Sequence, residues 1–244
     1  MAAAPAGGRM TAAWSALAAS PVWWLALTVL VYAATLALYR RSGAHPALIP
    51  VLTSVLVLVG LLLAGGTPYA DYARGTQPLT LLIGPATVLL AVPLFHQWPR
   101  VRTIWRPLAI ALLVGSTTAI VSAVGIAWAL GGSWETLASL APKSATMPIA
   151  MPVAERMGGL TALAAVAVAI TGIAGTMVSQ PLLRWLGVDQ DPVVRGVALG
   201  LTAHAIGMAR ELQLNPVAGA FAALAMGLNG ILTSLLVPLL LAFR

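Results

Sequence analysis

The stretch Pro142-Lys143-Ser144-Ala145-Thr146-Met147-Pro148 puts one cation and two hydroxyls between two prolines, inside a strongly apolar part of the chain. Proline interrupts a helix because it lacks an N–H and clashes with the preceding turn. A helix that restarts inside a membrane presents up to about four unpaired N–H groups and a partial positive charge. Those groups need protein, water or a ligand as partners, and a small anion satisfies them well. Lys143, Ser144 and Thr146 are therefore candidates for holding a carboxylate, with Pro142 and Pro148 as the helix breaks.

A second interrupted run carries Gly84-Pro85-Ala86-Thr87 and Pro93. Laying Ala86-Thr87 over Ala145-Thr146 also aligns Ala91 with Ala150 and Pro93 with Pro152. Paired, proline-interrupted apolar segments point to a transporter site built from discontinuous helices. Thr87 joins the candidate list on this ground, with Gly84, Pro85 and Pro93 as breaks. The third constellation is Gly200-Leu201-Thr202-Ala203-His204-Ala205-Ile206-Gly207-Met208-Ala209-Arg210-Glu211. A continuous helix sets Gly200, His204, Gly207 and Glu211 on one face and Arg210 off it, so all can meet one ligand only if the segment is broken. His204 could carry a coupling proton, and Arg210 could grip a carboxylate with two parallel bonds.

Each reading has a plainer counterpart. Proline kinks serve packing alone in many membrane helices, a lysine can reach along its stem to the interface, and His204, Arg210 and Glu211 can be satisfied polar groups at a wet helix end. Asn229, beside Gly227 and Gly230 in the last apolar run, reads as helix–helix glue rather than ligand.

Other chemistries lack their signatures. The chain contains no cysteine, and His45, His96 and His204 are too scattered for a metal site. There is no G-x-S-x-G, no H-E-x-x-H and no phosphate-binding loop around Lys143-Ser144. No enzyme activity, cofactor or metal is expected. A net charge of +7 is dispersed among apolar runs rather than gathered into a basic stripe, which argues against nucleic acid.

The elements that must position these residues are membrane helices. Hydrophobic residues make up 60% of the 244 and charged ones 8%, with a mean hydropathy of +0.95. Soluble domains carry about 25% charged residues, so this composition is that of an all-α membrane protein. The length accommodates about seven to nine transmembrane or re-entrant helices, in two related halves each with a discontinuous helix. Residues 1–20 read as a mobile arm and 21–244 as one transmembrane domain with halves 21–130 and 131–244. Apolar runs are expected at 22–39, 47–64, 78–95 (broken), 108–130, 160–183 and 218–243, with a weakly amphipathic segment over 193–214 and a loop over 96–106. The run 22–39 ends in Arg40-Arg41 rather than a cleavage site and reads as a retained span. The excess of Lys and Arg puts Arg40-Arg41, 100–106, 184–195 and Arg244 on the cytoplasmic side. That count requires one element, around Lys143 or His204, to dip in and return or to cross in two pieces.

Taken in order, Gly84-Pro85-Ala86-Thr87-Val88, Ala91-Val92-Pro93-Leu94, Pro142-Lys143-Ser144, Thr146, Pro148-Ile149-Ala150, Gly158-Gly159, Arg195-Gly196, Ala198-Leu199-Gly200, His204-Ala205-Ile206-Gly207, Ala209-Arg210 and Gly230-Ile231-Leu232-Thr233-Ser234 resemble the LrgB/CidB (YohK-type) family, from about residue 47 to the C-terminus. Bacterial members are described as antiholin-like or holin-like proteins that modulate murein hydrolase activity and lysis. Related plant proteins are plastidal glycolate/glycerate translocators, with an LrgA-like part fused to this one. The resemblance implies a small LrgA/CidA-type membrane partner; the expected location is the bacterial cytoplasmic (inner) membrane, and whether the chain forms a homo-oligomer is left open by the sequence. Met147 and Met208 replace family hydroxyl residues, removing two hydroxyls from the presumed site. The expected function is transport of small carboxylates such as glycolate, lactate or pyruvate, with Thr87, Lys143, Ser144, Thr146, His204 and Arg210 binding the anion. The competing class is an antiholin-like regulator with no substrate of its own.

Overall fold

The structure, a computed structural model, describes residues 20–43, 45–89 and 91–242, without the side chains of Pro46, Ile83, Ala86, Thr87 and Pro93. The arm expected over 1–20 thus lies outside the described residues except for Ser20. Every regular element among the described residues is helical, and the protein is a multi-pass α-helical membrane protein. Five helices among the described residues are long and apolar enough to cross a bilayer. The chain forms two compact units, one ending at Leu89 and the other beginning at Leu90.

In the N-terminal unit α1 (Pro21–Arg41) packs on α2 (Pro50–Ala64), where Thr35 Oγ1 and Ser54 Oγ share a buried 2.7 Å hydrogen bond. The short α3 (Tyr69–Gly75) lies against the start of α1, with the Tyr72 ring edge-on to buried Trp24. The run expected to be broken is broken: α4 (Gln77–Leu81) and α5 (Ile83–Leu89) are separate short helices. Pro85 falls in the first turn of α5, where the missing N–H would have had no intrahelical partner anyway.

The C-terminal unit opens with α6 (Ala91–His96), again with its proline, Pro93, in the first turn. Next comes α7 (Trp98–Ala129). The loop expected over 96–106 is instead helical from Trp98. The backbone kinks at Ile104, with φ −107° and ψ 15°. Pro107 is the cause, since its ring crowds the carbonyl four residues back and its nitrogen cannot donate. Arg100, Arg102 and Arg106 therefore ride on a helical segment tilted against the span. Trp98 and Trp105 are exposed beside them, in the manner of an interfacial aromatic belt.

Two further spans complete the scaffold, α10 (Thr161–Trp185) and α12 (Pro216–Leu241). α7 and α12 run in the same direction. Val101, Leu108, Val193 and Phe221 share one apolar cluster near their starts, and Ile120, Ala141 and Val237 share another towards their ends. The basic residues 100–106, 184 and 195 gather at the first end, as the charge pattern anticipates. The exit of α12 at Leu241 lies at the other end. Arg244, which the charge count sets on the same side as these arginines, lies outside the described residues. The charge count asks for one element, around Lys143 or His204, to dip in and return, and the segment 192–214 makes such a reversal.

That reversal is the main structural finding. α11 (Pro192–Leu214) has the length of a span, but at His204 the backbone turns to φ 40°, ψ −128°. Arg195 Nε bonds Glu211 Oε2, whereas in a straight helix residues sixteen apart stand about 24 Å from each other. A Cβ on Gly207 would lie 2.9 Å from the Leu199 carbonyl oxygen, eight residues back. Arms 192–203 and 205–214 are thus antiparallel, each about 15–18 Å long, half the thickness of a hydrocarbon core. α11 enters from the arginine end, reverses at mid-depth and leaves by the same end.

The second re-entrant element is α8 (Trp134–Leu140) and α9 (Met147–Arg156), joined by a turn at 141–145. Trp134 Nε1 donates to the Met157 carbonyl at 2.9 Å, closing this hairpin at the end opposite the arginines. Gly131 and Gly158, both at φ 78°, make the sharp entry and exit. From α7 onward the C-terminal unit runs span, hairpin, span, hairpin, span, the two hairpins inserting from opposite ends.

Close packing makes the reversal in α11 possible. A Cβ on Gly196 or Gly200 would come within 2.3 and 2.2 Å of the carbonyl oxygens of Ala218 and Ala222. The first arm therefore lies backbone to backbone on α12, the small-residue packing that membrane helices use in place of a hydrophobic drive. Gly200→Ala is expected to cost about 1–3 kcal/mol and to lower the melting temperature in detergent. Gly125→Ala, where a Cβ meets nothing within 4 Å, should leave it unchanged. The reversal has its own test: Arg195→Ala should destabilise by about 3 kcal/mol through the stranded Glu211 carboxylate, and Arg195→Glu with Glu211→Arg should recover much of the loss. Additive damage in the swapped pair would contradict the paired arms.

Candidate functional site

The turn of the lysine hairpin places Pro142 and Ser144 in buried positions and Lys143 half-buried between them. Its backbone is held from α12. Asn229, fourteenth of the 26 residues of that helix, donates through Nδ2 to the Ser144 carbonyl at 2.8 Å and to the Leu201 carbonyl at 3.2 Å. Its Oδ1 accepts from Ser116 Oγ of α7 at 2.6 Å. One side chain thus ties the tip of the lysine hairpin, the tip of the histidine hairpin and a neighbouring span. All three groups are buried, and in a low-dielectric interior a satisfied network of this kind fixes one arrangement.

α10 forms the opposite wall. Ala145 and Ala150 of the lysine hairpin pack on Val168, whose carbonyl oxygen lies 3.0 Å from His204 Nε2. The imidazole sits where α10 has Gly172, and a Cβ there would fall 2.5 Å from His204 Cε1. His204 is 3% exposed, so it braces the reversed backbone against α10. Arg210 is likewise buried and bonds the Thr176 carbonyl at 3.3 Å and the Gln180 side chain, fastening the returning arm to α10.

The hairpin tips meet at a cleft of about 620 Å³. Lys143 and Ser144 enter it from one hairpin, Leu201 and Thr202 from the other, and Thr118 of α7 and Thr171 of α10 from the scaffold. A cation with several hydroxyls in an otherwise apolar cleft suits a small organic anion that also carries hydroxyl or carbonyl oxygens. Of the residues singled out in the sequence, Lys143 and Ser144 line this cleft together. Thr146 caps α9 from the far side of the turn, its carbonyl accepting from Ile149 and Ala150. His204 and Arg210 stand behind the tip, on α10. Thr87 lies in α5 of the N-terminal unit, and its side chain is outside the described part. Pro142 lies in the turn and Pro148 in the first turn of α9. Thr118 and Thr171 were not among the residues singled out in the sequence. Hydroxyls inside otherwise apolar runs, Ser116-Thr117-Thr118 in α7 and Thr171 in α10, were the available signal.

The LrgB-like family profile matches residues 28–243. The chain belongs to the LrgB-like family. It is 38% identical to the Bacillus subtilis protein YwbG over 90% of this chain and 96% of that one. A Haemophilus influenzae relative is 36% identical over 76% of this chain and 80% of its own. An antiholin-like protein LrgB of Bacillus mycoides is 25% identical over 92% of this chain and 97% of its own. No solved structure matches.

Asn229→Leu strands two buried carbonyls and the Ser116 hydroxyl, and is expected to cost about 3 kcal/mol in detergent unfolding. Ser116→Ala should cost about 1 kcal/mol. Equal effects would mean that the amide does not bridge the tips.

Proposed function

We propose that this LrgB-like protein is a carrier of small carboxylates, of the 2-hydroxy- or oxo-acid type exemplified by glycolate, lactate and pyruvate, in a bacterial cytoplasmic membrane. The observation that carries this reading is the meeting of two oppositely inserted half-helical hairpins at mid-depth, with Lys143 in the cleft between their tips. Interrupted helices whose ends converge near the bilayer midplane are the usual architecture of a secondary-transporter site. An ionisable group at such a depth is costly and is kept chiefly where it works. Lys143 supplies charge, while Ser144, Thr202 and Thr171 supply oxygens that can bond the carboxylate and the adjacent hydroxyl or keto oxygen. The family resemblance also supports an LrgA/CidA-type membrane partner for the working unit.

A second reading is favoured by one observation, the antiholin-like name carried by relatives such as the Bacillus mycoides protein. In that reading the protein regulates murein hydrolase activity and lysis through a partner and moves no substrate.

Uptake of labelled glycolate and pyruvate into proteoliposomes, with and without an LrgA/CidA-type partner, separates the two. Saturable uptake is expected, lost by more than tenfold in Lys143→Ala and partly kept in Lys143→Arg. No uptake under any ion gradient, even with the partner present, would leave the regulatory reading standing.

A further inference from the structure

Two more clefts lie in line with the one that holds Lys143. One, of about 460 Å³, begins at Arg100 and Asp191 at the arginine end and runs inward to Leu201 and Thr202, the residues that also line the central cleft. The other, of about 440 Å³, begins at Lys143, which likewise lines the central cleft, and runs to Gly131 and Thr136 at the opposite end. One helix forms the floor of all three. The α7 residues Ile104 and Leu108 line the first, Gly115 and Ala119 the second, and Ala123 and Ala127 the third. These positions recur at three- and four-residue spacing, so a single face of α7 runs along the whole line of clefts. The line narrows where each hairpin tip reaches α7. At the histidine tip the contact is already tight, for a Cβ on Gly115 would lie 2.6 Å from Leu201 Cδ1.

We propose that this face of α7 is the translocation route for the anion, with the Leu201–Gly115 contact as the gate towards the arginine end and Lys143 as the selective waist towards the other. The proposal rests on the carrier reading and adds the path and its two constrictions. The geometry gives each hairpin one gate. A tip that swings away from α7 opens the central cleft to its own end, while the other tip, still seated on α7, keeps the second end closed. Leu201 is an apolar plug that any small solute must displace. Lys143 admits anions and disfavours cations by charge.

The chain contains no cysteine, so every introduced thiol is the sole one. Single replacements Ala111→Cys, Ala119→Cys and Ile126→Cys sample the three clefts, and Leu113→Cys and Val121→Cys sample exposed α7 positions outside them. In proteoliposomes of fixed orientation, a membrane-impermeant thiol reagent should label Ala111→Cys from the arginine side and Ile126→Cys from the other. Ala119→Cys should react slowly from either side and at least fivefold more slowly with saturating glycolate. Leu113→Cys and Val121→Cys should stay unlabelled. Adding Leu201→Ala should speed labelling of Ala119→Cys from the arginine side alone, whereas Gly115→Val should suppress it. Labelling of the outer-face controls as fast as the cleft positions, or no protection of Ala119→Cys while uptake persists, would overturn the route and leave the carrier reading intact. The full pattern without any uptake would support an aqueous path and overturn the carrier.

Discussion

Asn229 has one carboxamide, and three elements depend on it. Its two N–H bonds hold a carbonyl from each hairpin tip, and its oxygen holds Ser116 of α7. Each reversal inside a membrane ends a hydrogen-bond ladder, and a freed carbonyl or N–H in hydrocarbon costs several kcal/mol unless something replaces its partner. Two hairpins inserted from opposite ends create that deficit twice at the same depth. A single amide at the midpoint of α12 meets part of both deficits and couples their positions. The two tips cannot move without breaking a bond to the same residue, which is the physical basis for expecting their motions to be linked.

The remaining packing follows from bringing the tips that close. Gly196 and Gly200 let the first arm of α11 touch the α12 backbone, Gly172 makes room for the His204 ring, and Gly230 admits Ile149 of the lysine hairpin. The left-handed turn at His204 is strained for a residue with a side chain, by about 1–3 kcal/mol. It persists because the Val168 bond, the Arg195–Glu211 pair and the Arg210 bonds to α10 fix the residues on either side. Strain concentrated at a tip and restrained from its flanks is a reasonable location for a hinge.

How much of this was legible in the sequence depended on the local signal. The helical membrane architecture followed from composition, and the interruptions near Pro85 and Pro142 from proline itself, because those effects act within one turn. The lysine hairpin was legible in part, since Lys143 and two prolines mark it as an interruption. The histidine hairpin carries no proline at its turn, and its 23 residues have the length and apolarity of an ordinary span. The count of Lys and Arg already asks for a reversal near Lys143 or His204, but its exact place shows only in the pairing of Arg195 with Glu211 and of Leu199 with Gly207, and such pairs look unrelated until the chain is folded. Recognising the Gly84 and Lys143 runs as a pair drew attention away from the two tips that share Asn229. His204 and Arg210 read equally as ligand groups or as satisfied polar groups, because an isolated sequence does not show the bonds they make to α10.

The orientation of the hairpins bears on which activity the fold can support. A regulator that acts through a partner needs a distinctive outer surface, and nothing in that role calls for a lysine at the tip of a re-entrant hairpin. A carrier needs a polar site reachable from each side in turn. Two hairpins that enter from opposite ends and stop at the same depth provide it, because each tip stands between the central cleft and its own side of the membrane. In the carrier reading Lys143, half-buried at that depth, is the charge that an arriving carboxylate would neutralise.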